Sequence, residues 1–180
     1  MLRLVLSVVL LAVVTALPLR AEPAAASAPT SAEAPSDSTR AAMQKVIAWL
    51  AVNFELPPTD DLPRIARVSQ ARMNALRYRG LVPPAAAEGQ RTVAIYDDAT
   101  RTIYLPEGWS GNTPAEQSVL VHEMVHHLQN VGRLKHDCPQ AREKLAYAAQ
   151  DRWLAQFGRN LQDELEVDPF AILVRSTCAY

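Results

Sequence analysis

The chain has 180 residues and lacks the marks of several protein classes. No cluster or run of Lys and Arg stands out, which argues against a nucleic-acid partner. No internal repeat is present. No C-x-x-C pair occurs, so a thiolate zinc site of the usual structural kind is not expected. Glycine is scarce, and Gly80, Gly132 and Gly158 fall where helices are expected to end. The longest apolar run, Leu4 to Leu17, is too short to span a bilayer comfortably. The composition that remains is ordinary, 49% apolar and 21% charged with a formal net charge of -1, and the length suffices for one domain with a sizeable core.

That apolar run follows Arg3 and gives way to small residues, the pattern of a secretory signal peptide over residues 1–21. Cleavage is expected after Ala21, with Ala16 and Ala26 as alternatives; an uncleaved N-terminal anchor is the competing reading. No cysteine lies near the cut, which argues against a lipid anchor. Residues 22–38, EPAAASAPTSAEAPSDS, have too few large apolar groups to pack and read as a disordered Ala/Pro/Ser linker. The folded domain is expected over residues 39–180. The protein is thus expected to be exported, periplasmic or secreted. In an oxidising compartment the two cysteines, Cys138 and Cys178, are expected to form one disulfide.

Periodicity and capping signals give the order helix, strand, helix, hairpin, two long helices and two short ones. A first helix runs from Thr39 to Phe54, with Met43, Val46, Ile47 and Leu50 on one face, and Pro57-Pro58 beyond it. Leu62 to Val68 reads as a short strand. Ser69 caps a helix to about Tyr78, and Pro83 to Gln90 reads as a loop. Val93 and Ile95, a turn at Asp97 to Thr100, and Thr102 to Leu105 form a hairpin. Thr113-Pro114-Ala115-Glu116 is a capping box that opens a helix ending near Val131. Further helices are expected from Pro139 to Phe157, Asn160 to Val167, and Pro169 to Cys178. The class is α+β, mainly helical, with a small antiparallel sheet before the long helix.

Within that helix lies H-E-M-V-H, His122 to His126. At about 100° per residue, Leu120, Val121, Met124, Val125, Leu128 and Val131 fill a broad apolar arc. Ser118, His122, His126 and Gln129 share a narrow polar stripe, with Glu123 beyond its edge. Two imidazoles about 6 Å apart along the axis suit one metal ion, and Glu123 stands where a general base is needed. His127 faces away from the stripe and is expected to be a packed or hydrogen-bonded core residue. A catalytic zinc site wants three protein ligands and an open position. His136, Asp137, Cys138 and Glu143 are the candidates for the third. Glu143 is preferred, because an antiparallel helix after a short loop brings its early turns against the late turns of the first. Glu143, Tyr147, Gln150 and Leu154 share one stripe.

HEMVH followed by a helical glutamate resembles the zincin metallopeptidases, specifically the gluzincin branch. The resemblance implies that His122, His126 and Glu143 bind Zn2+ and that Glu123 activates water. The metzincin extension needs glycine at position 129 and histidine at position 132; Gln129 and Gly132 exclude it. Many gluzincins carry an aspartate four residues after the glutamate to orient a histidine ligand. Tyr147 stands there, so Gln150 is considered as the alternative partner. Tyr147, His136 and Tyr104 are candidates for stabilising the transition state. The resemblance also implies an edge strand beside the active helix. Thr102 to Leu105 is taken for that strand, able to bind an extended peptide or protein substrate by β-addition. Trp109 either walls the cleft or caps the core. The expected function is a zinc-dependent metallopeptidase. The alternatives are an exported, non-catalytic zincin-like binding module and a zinc amidase acting on a non-peptide or cell-wall substrate.

Overall fold

The computed structural model describes residues 34–79 and 91–178. The expected signal peptide, most of the linker, Gly80 and the loop from Pro83 to Gln90 lie outside the described residues. The elements follow the expected order: α1 (Asp37–Phe54), β1 (Arg64–Val68), α2 (Gln70–Arg77), β2 (Ile95–Asp97), β3 (Thr102–Pro106), α3 (Pro114–Val131), α4 (Ala141–Ala155), α5 (Leu161–Leu165) and α6 (Pro169–Ser176). The fold is α+β. No described helix is long and apolar enough to cross a membrane.

Capping chemistry sets most helix starts. α1 begins at Asp37 rather than Thr39 because the Ser36 hydroxyl accepts the Thr39 N–H. Ser69 does the same for α2 and Asp168 for α6. At α3, Thr113 and Glu116 form the reciprocal capping box with Pro114 in the first turn. The end of α3 differs from expectation in kind. Gly132 is not left-handed (φ −75°); Arg133 takes that conformation instead. Gly132 is needed for closeness: a Cβ there would lie 2.8 Å from the Leu128 carbonyl oxygen and 3.0 Å from Pro57 Cγ.

The sheet departs from the expected antiparallel one. β2 and β3 form the antiparallel hairpin, but β1 joins β3 in parallel, Arg64 opposite Thr102 through Val68 opposite Pro106. The order β1-β3-β2 is therefore mixed and puts β3 in the middle. The first hairpin strand is shorter than expected, and Val93 is exposed. Gln70 bonds the Thr92 carbonyl, and the Thr92 hydroxyl bonds Asn74, drawing that stretch toward α2 and out of the ladder.

Alternation along β3 splits the interior in two. Ile103 and Leu105 face the main core with α1 (Met43, Val46, Ile47, Leu50), α3 (Leu120, Val121, Met124, Val125, Leu128) and α4 (Ala146, Ala149, Trp153). Tyr104 faces the other way, with Ile95 against Ala66, Val68 and Met73. α3 is thus packed between sheet, α1 and α4, and its middle is buried on every side.

Candidate metal centre

α3 and α4 pack against each other and bring three side chains to one point. His122 Nε2 lies 3.2 Å from Glu143 Oε2, and His126 Nε2 lies 3.3 Å from Glu143 Oε1. The two Nε2 atoms are 3.2 Å apart. All three donors fall within 4.8 Å of one another, a group able to hold a metal ion. Among the earlier third-ligand candidates it is Glu143 that joins the histidines. His136 sits apart, in a cavity of about 420 Å³ lined also by Asp98, Gln129, Asn130, Arg133 and Arg142.

The outer ring of contacts fixes the imidazoles. His122 Nδ1–H donates to Gln150 Oε1 at 3.0 Å, and the Gln150 amide donates onward to Ser118 Oγ. His126 Nδ1–H donates to Gln129 Oε1 at 3.1 Å, and the Gln129 amide donates to the Arg142 carbonyl. Each amide oxygen takes the proton on Nδ1 and leaves Nε2 with a lone pair facing the shared point. Two lone pairs and a carboxylate at this spacing repel one another unless a proton or a cation lies between them. The donor set therefore fits a divalent metal that accepts imidazole and carboxylate.

Electrostatics follow the same arrangement. Burial alone would raise the Glu143 carboxyl; in the metal-free chain, protons carried on the Nε2 atoms of His122 and His126 bond it and hold it far below the usual carboxylate range. Burial alone would lower His126, and the contact with Glu143, then the charges of Glu123 and Glu143, lift it above the ordinary imidazole value. Glu123 is buried beside the cluster, and that burial pushes its carboxyl up, against the pull of both histidines and the backbone N–H of Tyr96.

The remaining named residues separate clearly. His127 is fully buried; its Nε2–H donates to the Asp61 carbonyl at 2.5 Å and its Nδ1 accepts from the Tyr96 hydroxyl, the core role expected. Tyr147 packs its ring on His122, centroids 4.7 Å apart at 68°. Tyr104 lies on the far face of the sheet, so it does not reach the cluster. Trp109 caps the core, its Nε1–H bonded to the Glu116 carbonyl at the helix entrance. Cys138 and Cys178 are bridged.

The expectation of a substrate strand added to the edge of Thr102 to Leu105 does not hold. β1 occupies one edge of β3 and β2 the other. Local alternation shows which face a strand buries but not which strand it pairs with. Sequence reasoning also missed the support around His126. Arg142 makes a two-pronged ion pair with Asp98 in the β2–β3 turn, at 2.6 and 2.8 Å, and donates to Gln129 Oε1 and to the His126 carbonyl. Gln129 was visible on the polar stripe, three residues after His126. Nothing local in the sequence marks Asp98 as the partner of Arg142.

Residues 35–180 match the family described as a domain of unknown function, DUF6647, and the chain belongs to that family. No curated protein and no solved structure matches it.

Proposed function

We propose that this family member is an exported zinc-dependent hydrolase, most simply a metallopeptidase. The observation that carries the reading is the convergence of two oriented imidazoles and a carboxylate on one point, with a buried second carboxylate beside them. His122, His126 and Glu143 would hold the metal, and their chemistry suits zinc better than a hard, oxygen-seeking cation. A bound zinc supplies Lewis-acid activation of water and of the substrate carbonyl.

Glu123 takes a proton from the attacking water and later returns it to the leaving amine as the carbon–nitrogen bond breaks. Its raised pKa suits a group that must both accept and release that proton. Among the described residues β2 is paired only with β3, and Tyr96 on it directs its backbone N–H toward Glu123. An extended peptide fits along that outer edge by main-chain hydrogen bonds. The Cys138–Cys178 bridge and the N-terminal apolar run together support export.

Absence of an aspartate at position 147 favours a non-catalytic binding module on sequence grounds. Gln150 takes over the orienting bond to His122, which removes that argument. The test is metal content by elemental mass spectrometry, beside Glu143→Ala and Glu123→Gln. One zinc per chain, lost with Glu143→Ala and kept with Glu123→Gln, is the expected result. Cleavage of a peptide library, and of cell-wall amides, then separates peptidase from amidase. A chain that takes up no zinc at neutral pH sinks the hydrolase and leaves a binding module.

A further inference from the structure

Beyond the metal-ligand cluster, Arg175 stands out. It lies in the last turn of α6, half-buried, and donates through Nη1 to the Tyr147 hydroxyl at 3.3 Å. The Tyr147 ring in turn packs edge-on against His122. One tyrosine ring therefore separates this guanidinium from a candidate metal ligand. The ion pairs among the described residues join Asp61 to Arg101, Asp98 to Arg142, Arg159 to Glu164, and Glu143 to the two histidines; none takes in Arg175. A guanidinium carries five N–H donors, and among the described residues its side chain makes the single bond to Tyr147. Partly burying a cation that has no counter-charge among the described residues leaves it open to an anionic partner. The fold holds it there, because the Cys138–Cys178 bridge ties the end of α6 to the segment that leads into α4.

We infer that Arg175 receives a carboxylate of the substrate, one or two residues beyond the bond that is cut. The inference rests on the hydrolase reading of the cluster and names its substrate class: peptides with an acidic group next to the scissile bond. The planar fork of a guanidinium matches a carboxylate in a two-bond geometry that an ammonium cannot copy. The Tyr147 hydroxyl accepts from Arg175 and so keeps its own proton to donate to the same carboxylate. An extended peptide advances roughly 3.3–3.6 Å per residue, so one or two residues carry the acidic group past the tyrosine ring. The carboxylate is either a free C-terminus or an Asp or Glu side chain.

Calorimetric binding to the metal-free chain tests this without turnover. Two peptide pairs are compared: a free acid against its C-terminal amide, and an aspartyl against an asparaginyl peptide with the terminus amidated. One charged member is expected to bind at least about tenfold tighter than its neutral partner. Arg175→Gln is expected to bring the pair within about twofold, and Arg175→Lys to keep part of the preference. The pair that shows the effect identifies the source of the carboxylate. Equal binding within both pairs in the wild type overturns the inference, as does no binding of any of the four at millimolar concentration. A preference that survives Arg175→Gln, with circular dichroism unchanged, overturns it too. A chain that prefers the acid but cleaves nothing with zinc keeps this inference and sinks the hydrolase.

Discussion

Gln150 Oε1 lies 3.0 Å from Nδ1 of His122 and is itself held by the bond from its amide to Ser118. A neutral amide thus orients the imidazole where a carboxylate would add negative charge. Gln150→Ala leaves the Nδ1–H of a buried histidine without an acceptor. Metal affinity is expected to fall about 10–100-fold, with a stability loss of about 1–3 kcal/mol. Competition with a chromogenic chelator reads the first, and urea denaturation the second. Unchanged affinity would show that packing by Tyr147 alone orients His122.

Gln150 could be read from the sequence, because it shares a helical stripe with Glu143 and Tyr147. Helices α3 and α6 were legible for a similar reason: their caps and prolines are local signals that act on neighbouring residues. What stayed hidden depends on distant partners. The parallel pairing of β1 with β3, the Arg142–Asp98 bridge and the contact of Arg175 with Tyr147 join segments far apart in the chain. No local pattern encodes such a pairing; it emerges when α3 is packed between the sheet and α4.

The metal-free chain is expected to lose stability as pH rises from about 6 to 8. Glu143 has a depressed pKa, so its contribution is present above the unfolded carboxylate value, about 4.3, and is lost as pH falls below it. His126 has a raised pKa, so its contribution is present below about 6.5 and is lost as pH climbs through its folded value. Glu123, also raised, adds a cost that grows above about 4.3. Burial lowers His127 and His136, which adds a cost only as pH falls below about 6.5, so the metal-free optimum is expected close to that value and the loss above it comes from His126 and Glu123. Zinc needs the ligands deprotonated, so the gain in Tm on adding it should grow over the same rise. Thermal scans in chelator and in zinc check both. A metal-free Tm that increases from pH 6 to 8 contradicts the assignment.

Arg142 and Asp98 clamp the hairpin turn to the start of α4 and reach the support of His126. Asp98 is half exposed, so Asp98→Ala is expected to cost only about 1 kcal/mol. Arg142→Ala also removes the bonds to Gln129 and the His126 carbonyl and is expected to cost about 2–3 kcal/mol. A double-mutant cycle should show coupling between the two of about 0.5–1.5 kcal/mol. Additive losses would mean that the ion pair contributes nothing of its own.

Two glycines give opposite tests of one idea. Gly132→Ala keeps an ordinary φ but drives a Cβ into the Leu128 carbonyl and Pro57, so the expected cost is steric, about 1–3 kcal/mol. Gly158 has open space around it and φ of +69°, so Gly158→Ala is expected to cost about 1–2 kcal/mol through backbone strain. Asparagine, which tolerates the left-handed region, should recover part of the loss at position 158 and none at 132. Recovery at both positions would contradict the steric account of the α3 end.

The disulfide should separate stability from metal binding. It joins Cys138, before α4, to Cys178, after α6, across a sequence separation of 40. Replacing both cysteines by serine is expected to cost about 2–5 kcal/mol. The metal ligands do not depend on that tie. His122 and His126 lie on α3, and α4 is seated on the core by Ala146, Ala149 and Trp153. α6 has no fully buried residue, so the bridge is expected to supply part of its hold on α4. The double serine variant should therefore bind zinc within about threefold of the wild type at a temperature where both are folded. The hydrogen bond from Arg175 to Tyr147 should be the part that suffers, since α6 carries the arginine. Denaturant titration and chelator competition on the same samples measure the two quantities. Zinc affinity that collapses together with stability would show that α6 holds the metal centre in place.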